Sequence, residues 1–482
     1  MKKNQQLFLG TKALVMGLGL HGGGVATAKW LTRHGATVSA TDKRTSEVLA
    51  PSVHALRGTQ IRYVLGKHNH TDFRTHDLII ANPGVPRESE YLATAVRANK
   101  RIENDASLFF RFIENPVIAV TGTRGKTTTT LWVAELLQKK YPQVRPSGNT
   151  PDNALLKEFD RVNGKGIPVA TELSSWQLEY APQAKRGPHI AVITNLFADH
   201  LNRYDGDITQ YADAKAGIFA NQTTDNFLVL NVDNAWWKYF ADKKPRARVF
   251  VISMKPLPSK FRDGLFVQGG YAVLRTNGVE RTLCRVDRFA SERGAHNLAN
   301  LLAAMLSVTL FDASLRITER DILRLPNPPM RQEVVLKKGK IAVVNDSCAT
   351  SPDGVIAALE HFRTQGNVVL ITGGTDKELQ FAELAKVIAT HIPTNQLILL
   401  EGSATTKLLT ALSSKKPMSR SDLDKKVLKN LDSCVVEAFR VARTLKGKTT
   451  ILFSPGAASF EKFLHEFDRG AQFNALVKKY TK

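Results

Sequence analysis

At 482 residues, 43% of them hydrophobic, the chain is about three usual domain lengths and has the composition of a globular protein with two or three separate cores. Its three cysteines, Cys284, Cys348 and Cys434, stand far apart without CxxC spacing. That excludes a disulfide framework, argues against a zinc site and fits a reducing cytoplasm. The net charge of +23 raises nucleic acid, an anionic membrane or acidic small molecules as partners. Basic residues are nevertheless spread from Lys2 to Lys482, with only short clusters such as Lys415-Lys416, and no aromatic-interleaved basic motif stands out. A solvated basic surface, with no nucleic-acid and no membrane partner, is the expectation.

The N-terminus imitates a signal peptide, with Lys2-Lys3, the apolar Ala13–Leu20 and Ala26-Thr27-Ala28. Gly17 and Gly19 break the apolar run and His21 follows it, so strand, turn and helix fit better. No run approaches the length of a membrane span. Residues 12–22 form a strand ending in G-x-G-x-x-G, followed by a helix to about Arg33 and a strand Thr37–Ala40 closing on Asp42. Alone this is a weak dinucleotide fingerprint, with Asp42 placed to accept from a ribose or a base. The strand in 77–84 then delivers Asn82 and Gly84 to the same sheet edge.

The next unit opens on Val117–Thr121 feeding into Gly122-Thr-Arg-Gly-Lys-Thr-Thr128. Strand, phosphate loop and helix is the natural reading: glycine lets backbone N–H groups approach a polyphosphate, Lys126 brings a point charge, and Thr127 offers an oxygen to Mg²⁺. The loop predicts ATP or GTP binding, although the ordinary pattern has glycine where Val120 stands, and a glycine turn before an amphipathic helix is the bland alternative. Downstream, Val169–Glu172 places Glu172 just past a short strand, and Ile190–His200 ends in Asn195, Asp199 and His200. Each could be a cap or turn residue, but carboxylate, amide and imidazole at one sheet edge suit Mg²⁺ and a nucleotide. Residues 295–304 predict a helix carrying His296, Asn297 and Asn300 on one face. In 211–218, Tyr211, Lys215 and Ile218 share a helical face, with a snorkelling surface lysine as the bland alternative.

The prolines at 326–329 mark a boundary. Four apolar strands follow, Ile341–Val344, Val368–Thr372, Leu397–Leu400 and Thr450–Phe453, with helical patterns between them as parallel sheets require. The expected fold class is α/β in three domains: residues 1–113 Rossmann-like, 114–325 a central P-loop ATPase-like parallel sheet, and 326–482 a second Rossmann-like unit.

With these residues in view the chain resembles the Mur ligases of peptidoglycan synthesis, over nearly its whole length. The resemblance rests on 122–127, on Glu-Leu-Ser-Ser-Trp-Gln-Leu (172–178), on Asn195, Asp199 and His200 with Arg203-Tyr204, and on 295–300, Asn-Asp-Ser-Cys-Ala-Thr (345–350) and 454–470. It implies a cytoplasmic, monomeric, ATP- and Mg²⁺-dependent amide ligase that joins glutamate to UDP-N-acetylmuramoyl-L-alanine through an acyl phosphate. It implies further that Gly122, Thr123, Gly125, Lys126, Thr127 and Thr128 hold the ATP phosphates. Asn297 and Asn300 would meet the adenine side, and Arg331 and Asp346 would close on the nucleotide. Thr127, Glu172, His200 and Lys215, the last as a carbamate, would hold metal, with Lys126, Glu172, His200 and Lys215 as the catalytic set. Gly19, His21, Asp42, Arg44, Asn82, Gly84, Asn149 and Ser174 would bind the UDP substrate, and Thr350, Lys377, Ser459 and Phe460 the glutamate. Arg124, Cys348 and Glu466 depart from the family pattern, the last two near the amino-acid pocket. A related ligase adding another amino acid or acting on folate, and a polyanion-binding scaffold, are the alternatives.

Overall fold

The computed structural model describes residues 7–20, 22–148, 153–199, 203–414 and 419–481. The chain divides into two compact units, Met1–Leu325 and Pro326–Lys482. The first unit carries two sheets. Strands β1 (Lys12–Met16), β2 (Thr37–Asp42), β3 (Ile61–Leu65), β4 (Leu78–Ala81) and β5 (Arg101–Glu103) form an all-parallel sheet in the order β3-β2-β1-β4-β5. The order reverses beside β1, which puts the loops after β1 and β4 at a switch point, where open α/β sheets bind ligands.

The second sheet has nine strands: β6 (Val117–Thr121), β7 (Pro146–Gly148), β8 (Val169–Glu172), β9 (Ile190–Ile193), β10 (Phe227–Asn231), β11 (Arg248–Ser253), β12 (Gly264–Gln268), β13 (Tyr271–Thr276) and β14 (Val279–Arg285). Their order is β14-β13-β12-β11-β10-β9-β6-β8-β7. It is parallel from β7 to β12, and β13 and β14 add an antiparallel meander. The fully buried strands β6 and β9 read as continuous apolar runs, as strands covered on both faces must. Helix Ala295–Phe311 covers one face and buries eleven residues there. On the other face, Leu228 and Leu230 join a cluster that also takes in Trp30 and Phe109 from the first sheet's helices and Phe159. Trp30 and Phe159 meet edge to face at 5.2 Å, so the two sheets of this unit share one apolar cluster.

In the second unit β15 (Glu333–Lys338), β16 (Ile341–Asn345), β17 (Asn367–Thr372), β18 (Leu397–Leu400), β19 (Val427–Leu428) and β20 (Thr449–Phe453) are ordered β15-β16-β20-β17-β18-β19. The four expected strands form its parallel centre. Two edge strands were not expected: β19, which is two residues long, and β15, which pairs antiparallel with β16. β15 is nowhere fully buried, and its apolar stretch is only Val334-Val335-Leu336, too short to read as a strand. Among the described residues no helix is long and apolar enough to cross a membrane.

Candidate active site

The loop after β6 is built by glycine and by the end of the neighbouring strand. Gly122 has φ +147°, and a Cβ there would fall 2.0 Å from the Thr194 hydroxyl. Gly125, at φ +81°, is the N-cap of helix Lys126–Leu137, whose start has no side-chain cap hydrogen bond. First-turn N–H groups of such a helix are the natural ligands of an anion. The Thr123 N–H donates to the Asn195 carbonyl at 3.0 Å and the Arg124 N–H to the Asn195 side chain at 2.9 Å. The Thr194 hydroxyl donates to the Arg124 carbonyl at 2.6 Å. Val120, where a longer loop would need glycine, is a fully buried strand residue, and the loop starts two residues later, at Gly122.

Onto this loop converge three side chains of the expected catalytic set. Val120 is in register with Glu172, which makes Glu172 the last residue of β8 and not a residue beyond it. The Thr127 hydroxyl donates to the Glu172 carboxylate at 2.6 Å. Lys126 Nζ donates to the carbonyls of Gly122 and Thr123 at 3.1 and 3.2 Å. Lys215 is not a snorkelling surface residue: it is 1% exposed, lies over the Tyr211 ring at 4.4 Å, and its Nζ donates to the Gly122 carbonyl at 2.9 Å. Burial drives its pKa well below the ordinary lysine value, the charge of Lys126 adds to that, and Asp199 opposes it. Helix Ile208–Ala216 ends before Ile218, which is buried beyond the helix. Asp199 itself is 6% exposed and faces Arg124 at 3.5 Å. Thr128 is buried in the first turn. His200, Asn149 and His21 lie outside the described residues.

Asn300 packs on the loop: a Cβ on Gly125 would lie 2.1 Å from its side-chain oxygen. Its amide faces Asn297 at 3.5 Å, and Asn297 donates to the Arg293 carbonyl at 3.0 Å. Asn300 is therefore first a wall of the phosphate loop, a role that spacing on a helix does not reveal.

At the first sheet's switch point the expected role of Asp42 changes. Its carboxylate accepts from the Gly19 N–H at 3.1 Å, the Arg44 N–H at 3.0 Å, and the Arg44 guanidinium at 3.1 and 2.9 Å. Four N–H groups fill the four lone-pair sites of a carboxylate, so Asp42 has none left for a ribose and instead fixes Gly19 and Arg44. Burial would raise its pKa, but the bonds from Arg44 and Gly19 outweigh that and hold it below the ordinary value. Asn82 likewise donates to the Gly17 carbonyl and stands against Gly24, while Gly84 is exposed. Ser174 accepts from the Gln177 N–H at 3.2 Å in a capping box, the cap role open to any serine before a short helix.

In the second unit Asp346 is buried. Its carboxylate accepts from the Ser454 hydroxyl at 2.7 Å and the Gln332 N–H at 3.1 Å, and burial pushes its pKa up to about 7 against those bonds. Arg469, which the sequence reading passed over, is fully buried and donates to the carbonyls of Ser347, Ala457 and Ala458 at 2.7 to 3.1 Å. A single arginine within a charged helix gives no sequence signal of such burial. Cys348 is buried beside Arg331 and Glu466, its thiol pushed up to about 11 by burial. Ser459 is buried with no hydrogen-bond partner for its hydroxyl among the described residues. Thr350 and Lys377 are half-buried. Phe460 is 64% exposed.

Residues 120–308 match the Mur ligase middle domain, and residues 11–103 match the Mur ligase MurD-like, N-terminal domain. A protein of Roseiflexus sp. named UDP-N-acetylmuramoylalanine--D-glutamate ligase is 36% identical over 478 residues, 98% of this chain and 99% of its own. A protein of the same name from Borreliella burgdorferi is 36% identical over 467 residues, 96% of this chain and 97% of its own. Among solved structures, the UDP-N-acetylmuramate-alanine ligase MurC of Thermotoga maritima aligns with a TM-score of 0.54 at 19% identity, covering 98% of this chain and 99% of its own. The MurF ligase of Thermotoga maritima in complex with ADP aligns at 0.52 and 16% identity, covering 86% and 97%. At those identities the two structures speak for the fold alone.

Proposed function

The chain belongs to the Mur ligase family of ATP-dependent amide-bond-forming enzymes, and from that premise we propose that it joins D-glutamate to UDP-N-acetylmuramoyl-L-alanine in peptidoglycan precursor synthesis. The observation that carries this reading is the meeting of Lys126, the Thr127–Glu172 pair and buried Lys215 on one phosphate loop. A carboxylate is a poor electrophile until one oxygen becomes a phosphate. The muramoyl-alanine carboxylate oxygen attacks the γ-phosphorus of ATP and ADP leaves. The glutamate amine then attacks the acyl carbon, phosphate departs, and the amine proton is lost as the amide forms. Such transfer asks the protein for position and charge neutralisation more than for a nucleophile. The amides of Gly122 and Gly125 and the first turn with Thr128 hold the phosphates, Thr123 shapes the loop through its N–H bond to the Asn195 carbonyl, and Lys126 neutralises the charge.

The oxygens of Thr127 and Glu172 fit Mg²⁺. They are hard donors 2.6 Å apart, and no set of three His, Cys, Asp or Glu side chains that could hold a metal forms among the described residues. Phosphate and water would therefore complete a shell of the kind Mg²⁺ prefers. Mg²⁺ bound there supplies charge neutralisation to the phosphates. Lys215, pushed toward its neutral form by burial, would add through its nitrogen to CO₂ and lose a proton, and the carbamate oxygens would extend the donor set, to which His200 is also assigned.

In this reading residues 1–113 bind the UDP substrate, residues 114–325 bind ATP and residues 326–482 bind the amino acid. Arg44, held by Asp42, is the cation for the UDP phosphates, with Gly19, Asn82, Gly84, His21, Asn149 and Ser174 assigned to the same substrate. Asn297, with Asn300 behind the loop, serves the adenine side. Thr350, Lys377, Ser459 and Phe460 receive glutamate. Phosphate release measured with ATP, UDP-N-acetylmuramoyl-L-alanine and a panel of amino acids tests the assignment: D-glutamate should give the fastest turnover. Preference for L-glutamate, on which the departures at Cys348 and Glu466 bear, or for alanine or a diamino acid would replace it with a neighbouring activity.

A further inference from the structure

Between residues 232 and 263 the chain carries eight Lys or Arg against three Asp or Glu, interleaved with Trp236, Trp237, Tyr239 and Phe261. No such motif stands out along the sequence because the residues fall in two separate crossovers, and only folding joins them. Helix Trp237–Asp242 leads from β10 to β11, and residues 254–263 lead from β11 to β12. The Trp237 and Phe261 rings pack edge to face at 5.4 Å, as do Trp236 and Tyr239, so the two crossovers lie side by side. Beneath them Leu228, Leu230, Val249 and Val251 form the apolar floor. Val229, Phe250 and Ile252 point to the other face, against helix Ala295–Phe311.

All four aromatic residues are half-buried, and Lys238, Lys243, Lys244, Arg246, Lys255, Lys260 and Arg262 are exposed. Two of the three acids already have partners: Asp233 accepts from the Ser253 hydroxyl and the Met254 N–H, and Asp263 pairs with Arg248. Amphipathic rings at the waterline, rimmed by cations on long stems, are the side-chain set of a membrane interface. Single-stranded nucleic acid would need open ring faces to stack on. Here Lys243 lies over the Tyr239 ring at 4.7 Å and Lys260 over the Phe261 ring at 5.3 Å. What the surface offers is two rings covered by ammonium groups, Lys243 being paired with Asp213, and a rim of exposed Lys238, Lys244, Lys255 and Lys260, a match for a layer of phosphate headgroups. We propose that this face of the central sheet docks the protein on an anionic phospholipid surface.

Co-sedimentation of the full chain with vesicles of phosphatidylcholine alone, or mixed with phosphatidylglycerol, tests this. Binding is expected only to the mixed vesicles, and should fade between about 0.1 and 1 M salt as the screening length shrinks from about 10 to 3 Å. The variant Lys238→Glu/Lys244→Glu/Lys260→Glu should bind on the order of 100-fold more weakly, at roughly 1 kcal/mol per cation, with ligase activity in solution unchanged. Lys446→Glu/Lys448→Glu, on the second unit, should bind like the parent. Equal pelleting with both vesicle types, an unweakened triple variant, or single-stranded DNA that binds while anionic vesicles do not compete would each overturn the proposal.

Discussion

Lys215 Nζ donates to the carbonyl of Gly122 at 2.9 Å, from a position buried beneath the loop that carries Lys126. A lysine so placed is held toward its neutral form, and its cost to stability follows pH. Because its folded pKa is depressed, the unfolded chain binds the extra proton. Stability is therefore full above the unfolded value of about 10.4 and is lost as pH falls toward the folded pKa. Lys215→Met should unfold at a higher temperature than the parent near neutral pH, with the gap closing in alkaline buffer. Lys215→Ala should lose most activity and regain part of it with acetate. Full activity of the alanine variant without bicarbonate would remove the carbamate.

Lys126→Ala should lower turnover by at least about a hundredfold, the scale of losing one charge-stabilising donor, while calorimetry finds UDP-substrate binding nearly intact. The two nucleotides are assigned to different sheets, and equal loss of both would contradict that assignment.

Gly125→Ala should weaken ATP binding through two separable causes. The left-handed backbone at φ +81° costs a residue with a Cβ about 1–2 kcal/mol, and the new Cβ meets Asn300 at 2.1 Å. Adding Asn300→Ala should relieve only the second, giving partial recovery of nucleotide affinity in a fluorescence titration. Full recovery would show that backbone conformation is immaterial.

Asp346 has its pKa raised to about 7 by burial, so its contribution is opposite in sign to that of a paired carboxylate. Stability present at low pH is lost as pH rises from the unfolded value near 4 through about 7. Thermal unfolding should show Asp346→Asn flattening the pH dependence across that window. An unchanged slope would place the titration elsewhere.

Lys377→Ala should raise the KM for glutamate well above its effect on the KM for ATP, since loss of one charge-assisted hydrogen bond costs about 1.5–3 kcal/mol, tenfold or more. An unchanged glutamate KM would move the amino-acid site away from Thr350, Lys377 and Ser459.

The parallel strands were legible because buried strands must be apolar along their whole length: Val117–Thr121 and Ile190–Ile193 stand out, and the polar residues that follow them mark the sheet edge. The meander β12–β14 was less so. Gly269-Gly270 and Asn277-Gly278 turn its hairpins with positive φ, a signal present in the sequence, but the last strand, β14, is largely exposed and polar. Burial of ionisable groups was least legible. Spacing put Tyr211 and Lys215 on one helical face, yet whether that face met water or Gly122 depended on packing between distant segments. Asp42 shows the converse: its place at the end of β2 was readable, but its partners Gly19 and Arg44 meet it only once the loops close.

The acyl phosphate is the centre of the account, and isotope transfer tests it most directly. UDP-N-acetylmuramoyl-L-alanine labelled with a heavy oxygen isotope in its alanine carboxylate is turned over with ATP and D-glutamate, and the released phosphate is weighed by mass spectrometry. The account predicts one labelled oxygen in each inorganic phosphate, with ADP as the other product and label transfer lost in Lys126→Ala. Unlabelled phosphate, or AMP in place of ADP, would contradict it.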